Sequence, residues 1–241
     1  MILGQSLIQV FRSSIVMMLL LGCSVAALAL IIERLWYFAR NRFNVTKGLN
    51  QIRMIYKDTG VGPAIGYAQS MKNPLGRLFS LILENNQLSV DEQADLSYGM
   101  ILDERVKAER FLGGIGTLAN VATLLGLLGT VTGLIRAFQN IALTGSGGPV
   151  VVSAGIAEAL ITTAFGLFIG IPSLLFYNYF VKKSNDIAMT LESAQEKFMV
   201  FLENTKQATR EQKAREPRIA KKVTNNNEVT TKVKEEGTWR Y

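Results

Sequence analysis

Glu158 is the residue from which chemistry could start. It is the sole acidic side chain between Glu109 and Asp186, and it stands inside the apolar run from Pro149 to Val181. That run is long enough to cross a bilayer as a helix. A charged side chain at the centre of a membrane helix costs about 3 kcal/mol on insertion scales, so such groups face a cavity or a partner and mark conduction paths. An acid that can lose and regain a proton is the minimum equipment of a relay. The competing reading is a structural carboxyl, neutral and hydrogen-bonded between helices. The apolar runs Ile15–Ile32, Phe111–Ile135 and Pro149–Val181 contain no Lys or Arg. No internal salt bridge is therefore expected for Glu158.

Three threonines lie within reach of this group. Thr130 precedes Arg136 by six residues and Glu158 follows Pro149 by nine. At a rise of about 1.5 Å per residue, both sit roughly 9–14 Å below one membrane surface and can be neighbours across two helices. Thr162, at i+4, shares the face of Glu158, whereas Thr163 is turned about 140° from it. For Thr162 and Thr163 the plainer role is a hydrogen bond back to the carbonyl four residues earlier.

Other chemistries lack the raw material. The 241 residues hold no histidine and one cysteine, so His-based triads, Cys-cluster metal sites and an internal disulfide are excluded. No cofactor or metal is expected, and the chain does not read as an enzyme. Gly126–Gly133 is glycine-rich, but no lysine follows and its flanks are apolar, so it is no phosphate loop. The net charge of +7 suggests nucleic acid until its placement is considered.

The elements that must hold Glu158 are membrane helices. Apolar residues make up 49% of the chain and are clustered rather than periodic, the signature of membrane spans. After a short segment 1–14, the first span covers 15–38 and closes on Glu33-Arg34 with Trp36, Tyr37 and Phe38 as an interfacial belt. Leu20-Leu21-Gly22-Cys23 resembles a lipoprotein cleavage box, but Val25 to Ile32 stays apolar. Cys23 therefore reads as a small hydrophobe in an uncleaved span. Residues 39–110 have water-soluble character and break into helices at about 45–57, 63–71 and 75–86.

Ser89-Val90-Asp91-Glu92 reads as a capping box. It opens one long helix predicted to run unbroken to Leu143, through the second span at 111–138. A polar turn at 139–149 leads to the third span at 150–181, which contains Pro172. Small residues at three- and four-residue spacing, Gly126, Gly129 and Gly133, then Gly166 and Gly170, predict close helix–helix contact. Beyond the third span, Ile187, Leu191, Ala194, Phe198 and Leu202 form an apolar stripe over a helix at 182–203. It should pair antiparallel with 90–110 as a stalk. The rest, 204–241, reads as a disordered basic tail.

Of 26 Lys and Arg, eleven fall in 34–110 and thirteen in 182–241, against Arg12 and Arg136 on the other side. The positive-inside rule then places the N-terminus and the 139–149 turn outside, with the middle domain and tail in the cytoplasm.

Ala154–Asn178, AGIAEALITTAFGLFIGIPSLLFYN, resembles the third span of the ExbB/TolQ branch of the MotA/TolQ/ExbB proton-channel family. Leu125–Gly133, LGLLGTVTG, resembles the matching part of its second span, and Asn73-Pro74-Leu75-Gly76 is similar to a cytoplasmic signature. The likeness runs from the first span to about Leu202. One departure is Thr123, where the family often has proline. The resemblance implies an all-α inner-membrane protein that assembles as a homopentameric ring, with the second and third spans lining a pore. It implies an ExbD/TolR-like single-span partner carrying a membrane aspartate, and a TonB/TolA-like periplasm-spanning protein that receives the work. On the same ground, Thr130, Glu158 and Thr163 fall on pore-lining positions. A structural membrane scaffold is the alternative from another class. A flagellar stator subunit is a third, although that branch has four spans.

Overall fold

The computed structural model describes residues 15–144 and 149–236. The segment 1–14 and the turn Gly145–Gly148 lie outside the described residues. Among the described residues seven helices follow one another: α1 (Ile15–Arg40), α2 (Val45–Thr59), α3 (Val61–Ser70), α4 (Pro74–Glu84), α5 (Val90–Glu109), α6 (Leu112–Thr144) and α7 (Pro149–Glu236). Among the described residues, three helical stretches are long and apolar enough to cross a membrane. They contain α1, α6 and the first part of α7. The chain forms two compact units, one of the residues up to Asn44 with Tyr98–Leu191, the other of Val45–Ser97 with the chain from Glu192.

In the first unit α1 packs on α6, and α6 runs antiparallel to α7. Met17 and Leu20 of α1 are buried with Ala122 and Ile169, and Cys23 is half-buried against that cluster. A second cluster joins Ile31, Phe38, Leu112, Ile115 and Phe180. The interfacial belt is thus only partly a belt. Trp36 faces outward, while Phe38 is core, stacked on Phe180 at 5.5 Å between ring centres. Its place beside Arg34 in sequence hides that it points to the opposite side of the helix from Trp36.

The helix expected to run unbroken from Ser89 to Leu143 is interrupted at Arg110-Phe111. Phe111 adopts φ 66°, the left-handed region that residues with a Cβ avoid. Neither Gly nor Pro marks the break, and its cause is tertiary. Arg34, buried in α1, donates from Nη1 to the carbonyls of Lys107 and Ala108 at 3.2 and 3.3 Å. Those are last-turn carbonyls of α5, which have no partner within the helix. The same guanidinium lies over Tyr37 at 4.5 Å and Phe111 at 5.5 Å, and Glu33 pairs with it. Arg34 is therefore a helix clasp rather than a surface charge. At its far end α6 continues to Thr144, past the turn expected at 139, since nothing in Gln139–Leu143 stops a helix.

The second unit packs α2, α3 and α4 with the start of α5 and the part of α7 from Glu192. Asn73 caps α4 by accepting from the Gly76 amide at 2.9 Å, with Pro74 in the first turn. A Cβ on Gly76 would strike the carbonyls of Met71 and Ala68. Asn73-Pro74-Leu75-Gly76 thus encodes a tight helix start. Ser89 and Glu92 form the reciprocal capping box, Glu92 accepting from the Ser89 amide at 2.9 Å and its hydroxyl at 2.7 Å. Phe79 meets Phe198 at 4.7 Å, and Gln195 donates to the Ala94 carbonyl at 3.3 Å. Of the predicted stripe, Ala194, Phe198 and Leu202 are buried in this unit and Leu191 in the first, with Ile187 half-buried. Leu202 is the last buried residue among the described side chains. The segment from 204, expected to be irregular, is helical to Glu236 instead. Lys, Glu, Gln and Ala sustain a helix locally even where no core holds it.

Candidate functional site

The pairing of α6 with α7 rests on residues that have almost no side chain. A Cβ on Gly166 would approach the Ala122 carbonyl at 2.7 Å and Gly126 Cα at 2.8 Å. One on Gly133 would meet the Ala159 Cβ at 2.9 Å, and one on Gly155 the Ala137 Cβ at 2.6 Å. Gly129 lies directly against the Thr162 side chain, and Gly170 against Thr123 and the Ala119 carbonyl. This seam brings the backbones together and fixes the antiparallel register: Gly126 opposite Gly166, Gly129 opposite Thr162, Gly133 opposite Ala159.

Register decides what Glu158 meets. It precedes Ala159 by one residue, and Arg136 follows Gly133 by three. Arg136 donates from Nη1 to Glu158 Oε1 at 3.1 Å. This overturns the expectation that no internal salt bridge serves Glu158. Because α6 extends to Thr144, Arg136 sits eight residues inside its end, and its long stem carries the charge to the carboxylate. The sequence did hold the signal: one arginine and one glutamate in two facing spans. Counting Arg136 only as a topology charge missed it.

The three threonine hydroxyls each donate to a backbone carbonyl. Thr162, 1% exposed, donates to the Glu158 backbone carbonyl at 2.8 Å, the ordinary i−4 bond. Thr163 crosses the seam and donates to the Gly126 carbonyl at 2.8 Å. This satisfies its hydroxyl on the neighbouring helix and ties the pair together. Thr130 donates to the Leu127 carbonyl of its own helix at 2.6 Å. None of these recorded bonds reaches the carboxyl of Glu158. The structure joins Glu158 with Arg136 and leaves the three hydroxyls bonded to backbone.

Among the described residues the regular structure is helical, with three stretches of membrane-crossing length and an Arg136–Glu158 ion pair between two of them, which defines a polytopic membrane protein. It belongs to the MotA/TolQ/ExbB proton channel family, in the ExbB/TolQ branch; the family's model matches residues 70–193. The chain is 34% identical over 168 residues to an ExbB-like protein of Synechocystis sp., a match covering 67% of this chain and 78% of that one. It is 41% identical over 98 residues to the biopolymer transport protein ExbB of Salmonella typhimurium, covering 39% of this chain and 40% of the relative. A solved structure of C. jejuni MotAB superposes with a TM-score of 0.51 at 16% identity, over 83% of this chain and 73% of that one. That last likeness speaks to fold alone.

Proposed function

We propose that this protein is the proton-conducting subunit of an inner-membrane assembly that spends the proton motive force on outer-membrane transport or an envelope process. Five copies form a ring whose α6 and α7 helices line a pore. An ExbD/TolR-like single-span protein occupies that pore, and a TonB/TolA-like protein carries the work across the periplasm. The N-terminus faces the periplasm and the C-terminal part of α7 the cytoplasm, as the distribution of Lys and Arg requires. Glu158 takes up and releases the proton, with Thr130, Thr162 and Thr163 beside the pathway.

The observation that carries this reading is Glu158, the one carboxylate in α6 and in α7 up to Val181, 21% exposed and paired with the one arginine of those stretches. A charge kept at such depth is a functional group before it is a structural one. Glu158→Gln keeps size and hydrogen bonding but cannot exchange a proton. Cells complemented with this variant should show proton-coupled transport no higher than cells lacking the protein, with normal assembly. Full activity of Glu158→Gln would sink the channel reading and leave the scaffold reading in its place.

A further inference from the structure

Arg136 is the one charged side chain of α6, and Glu158 the one charged side chain of α7 up to Val181. Between Arg110 and Lys182 the chain has no other Lys or Arg, and between Glu109 and Asp186 no other Asp or Glu. Gly133, Ala137, Gly155 and Ala159 form the seam beside the pair; Thr132 and Asn140 lie four residues either side of Arg136 and Thr162 four residues after Glu158, and none of these is ionisable. From Ile15 to Ile32, α1 contributes no charge. One N–H of the guanidinium goes to Glu158 Oε1 at 3.1 Å. The Arg136 side chain is 45% exposed, so it can swing away without opening the seam.

We propose that Arg136 is a positioning residue for the proton site: it pairs with the Glu158 carboxylate and aims it toward α6, and lets it go when the carboxylate is protonated. The proposal rests on the channel reading of Glu158 and gives that site its counter-ion. The guanidinium stays protonated throughout. In the proton step, hydronium transfers its proton to a Glu158 oxygen, leaving water and a neutral carboxyl. No bond to Arg136 is made or broken, but the charge that held it is gone. The ion pair is thus a latch closed by the ionised state and opened by the proton itself.

Dicyclohexylcarbodiimide tests this on the purified full-length protein, because it modifies carboxyls only when they are protonated. Labelling of Glu158 is read by mass spectrometry of the peptide, with Glu158→Gln as blank. Arg136→Gln should label several-fold faster than the wild type at neutral pH, Arg136→Met likewise, and Arg136→Lys close to the wild type. The rates should converge at a pH low enough to protonate Glu158 in all of them. Equal labelling of Arg136→Gln and wild type would overturn the proposal, as would Arg136→Lys tracking Arg136→Gln. A difference that persisted at low pH would report altered access and overturn it too. Labelling requires no conduction, so its outcome is separate from the activity of Glu158→Gln.

Discussion

Arg34 shows how much one side chain can organise. Its guanidinium meets two carbonyls at the end of α5 and lies over the rings of Tyr37 and Phe111. Phe111 in turn holds a backbone conformation that costs about 1–2 kcal/mol for an L residue. Hydrogen bonds to a charged donor contribute about 1.5–3 kcal/mol, and a buried carbonyl stripped of its donor is penalised further. Arg34→Ala should therefore destabilise the protein by about 3 kcal/mol. For a chain of this size that lowers the thermal midpoint by about 6–12 °C in detergent. An unchanged midpoint would mean that the break at Phe111 is held by something else.

At the scale of elements, the α6–α7 seam and the start of α5 make opposite demands. Gly166→Ala places a methyl against backbone on α6, and overpacking of that kind costs about 1–3 kcal/mol. Gly99→Ala is the control: it lies exposed on α5 with open space around it, and there alanine should stabilise by up to about 1 kcal/mol. Thermal midpoints of the two variants should move in opposite directions. At the N-terminus of α5, the Ser89 hydroxyl and then the Ser89 amide hold the Glu92 carboxyl below the usual glutamate range. A depressed carboxyl contributes its stability above its unfolded-state value and loses it as pH falls through the folded one. Protection of the Ser89 amide, which donates to the Glu92 carboxylate, should thus decline between about pH 5 and pH 3, the region where model carboxyls titrate. Glu92→Gln should remove that dependence. Protection that fell equally in the variant would assign the effect to another group.

For the whole molecule, the faces of α6 and α7 turned away from the seam are apolar and exposed: Leu124, Leu127 and Phe138 on one, Leu160, Phe168 and Leu175 on the other. Such faces are at home against lipid or neighbouring subunits, and the small-residue seam shows how closely these helices can pack. Native mass spectrometry in mild detergent should return a pentamer. A protein that ran only as a monomer would count against the pore. The segment after Gln212 should be dispensable for that assembly, because Leu202 is the last buried residue among the described side chains and Lys206 makes its bond to the Asn86 carbonyl. Loss of the oligomer on truncation there would place a contact in the tail.

Much was legible in the residues alone, because it depends on local rules. Three apolar runs predict three helices of membrane-spanning length, Ser89 and Glu92 predict a helix start, and the solitary Glu158 picks itself out by type and depth. The spacing of Gly126, Gly129, Gly133, Gly166 and Gly170 marks the surfaces that meet. The partners across those surfaces were not legible. Arg136 and Glu158 are 22 residues apart, Thr163 and Gly126 are 37 apart, and Arg34 and Lys107 are 73 apart. Period and composition describe one helix at a time, whereas these contacts follow from the register in which two helices pack. Tertiary structure alone turned Arg136 from a topology charge into a counter-ion. It set the Thr163 hydroxyl on the Gly126 carbonyl across the seam, and it broke a helix at a phenylalanine where an arginine on another helix satisfies the carbonyls at the break.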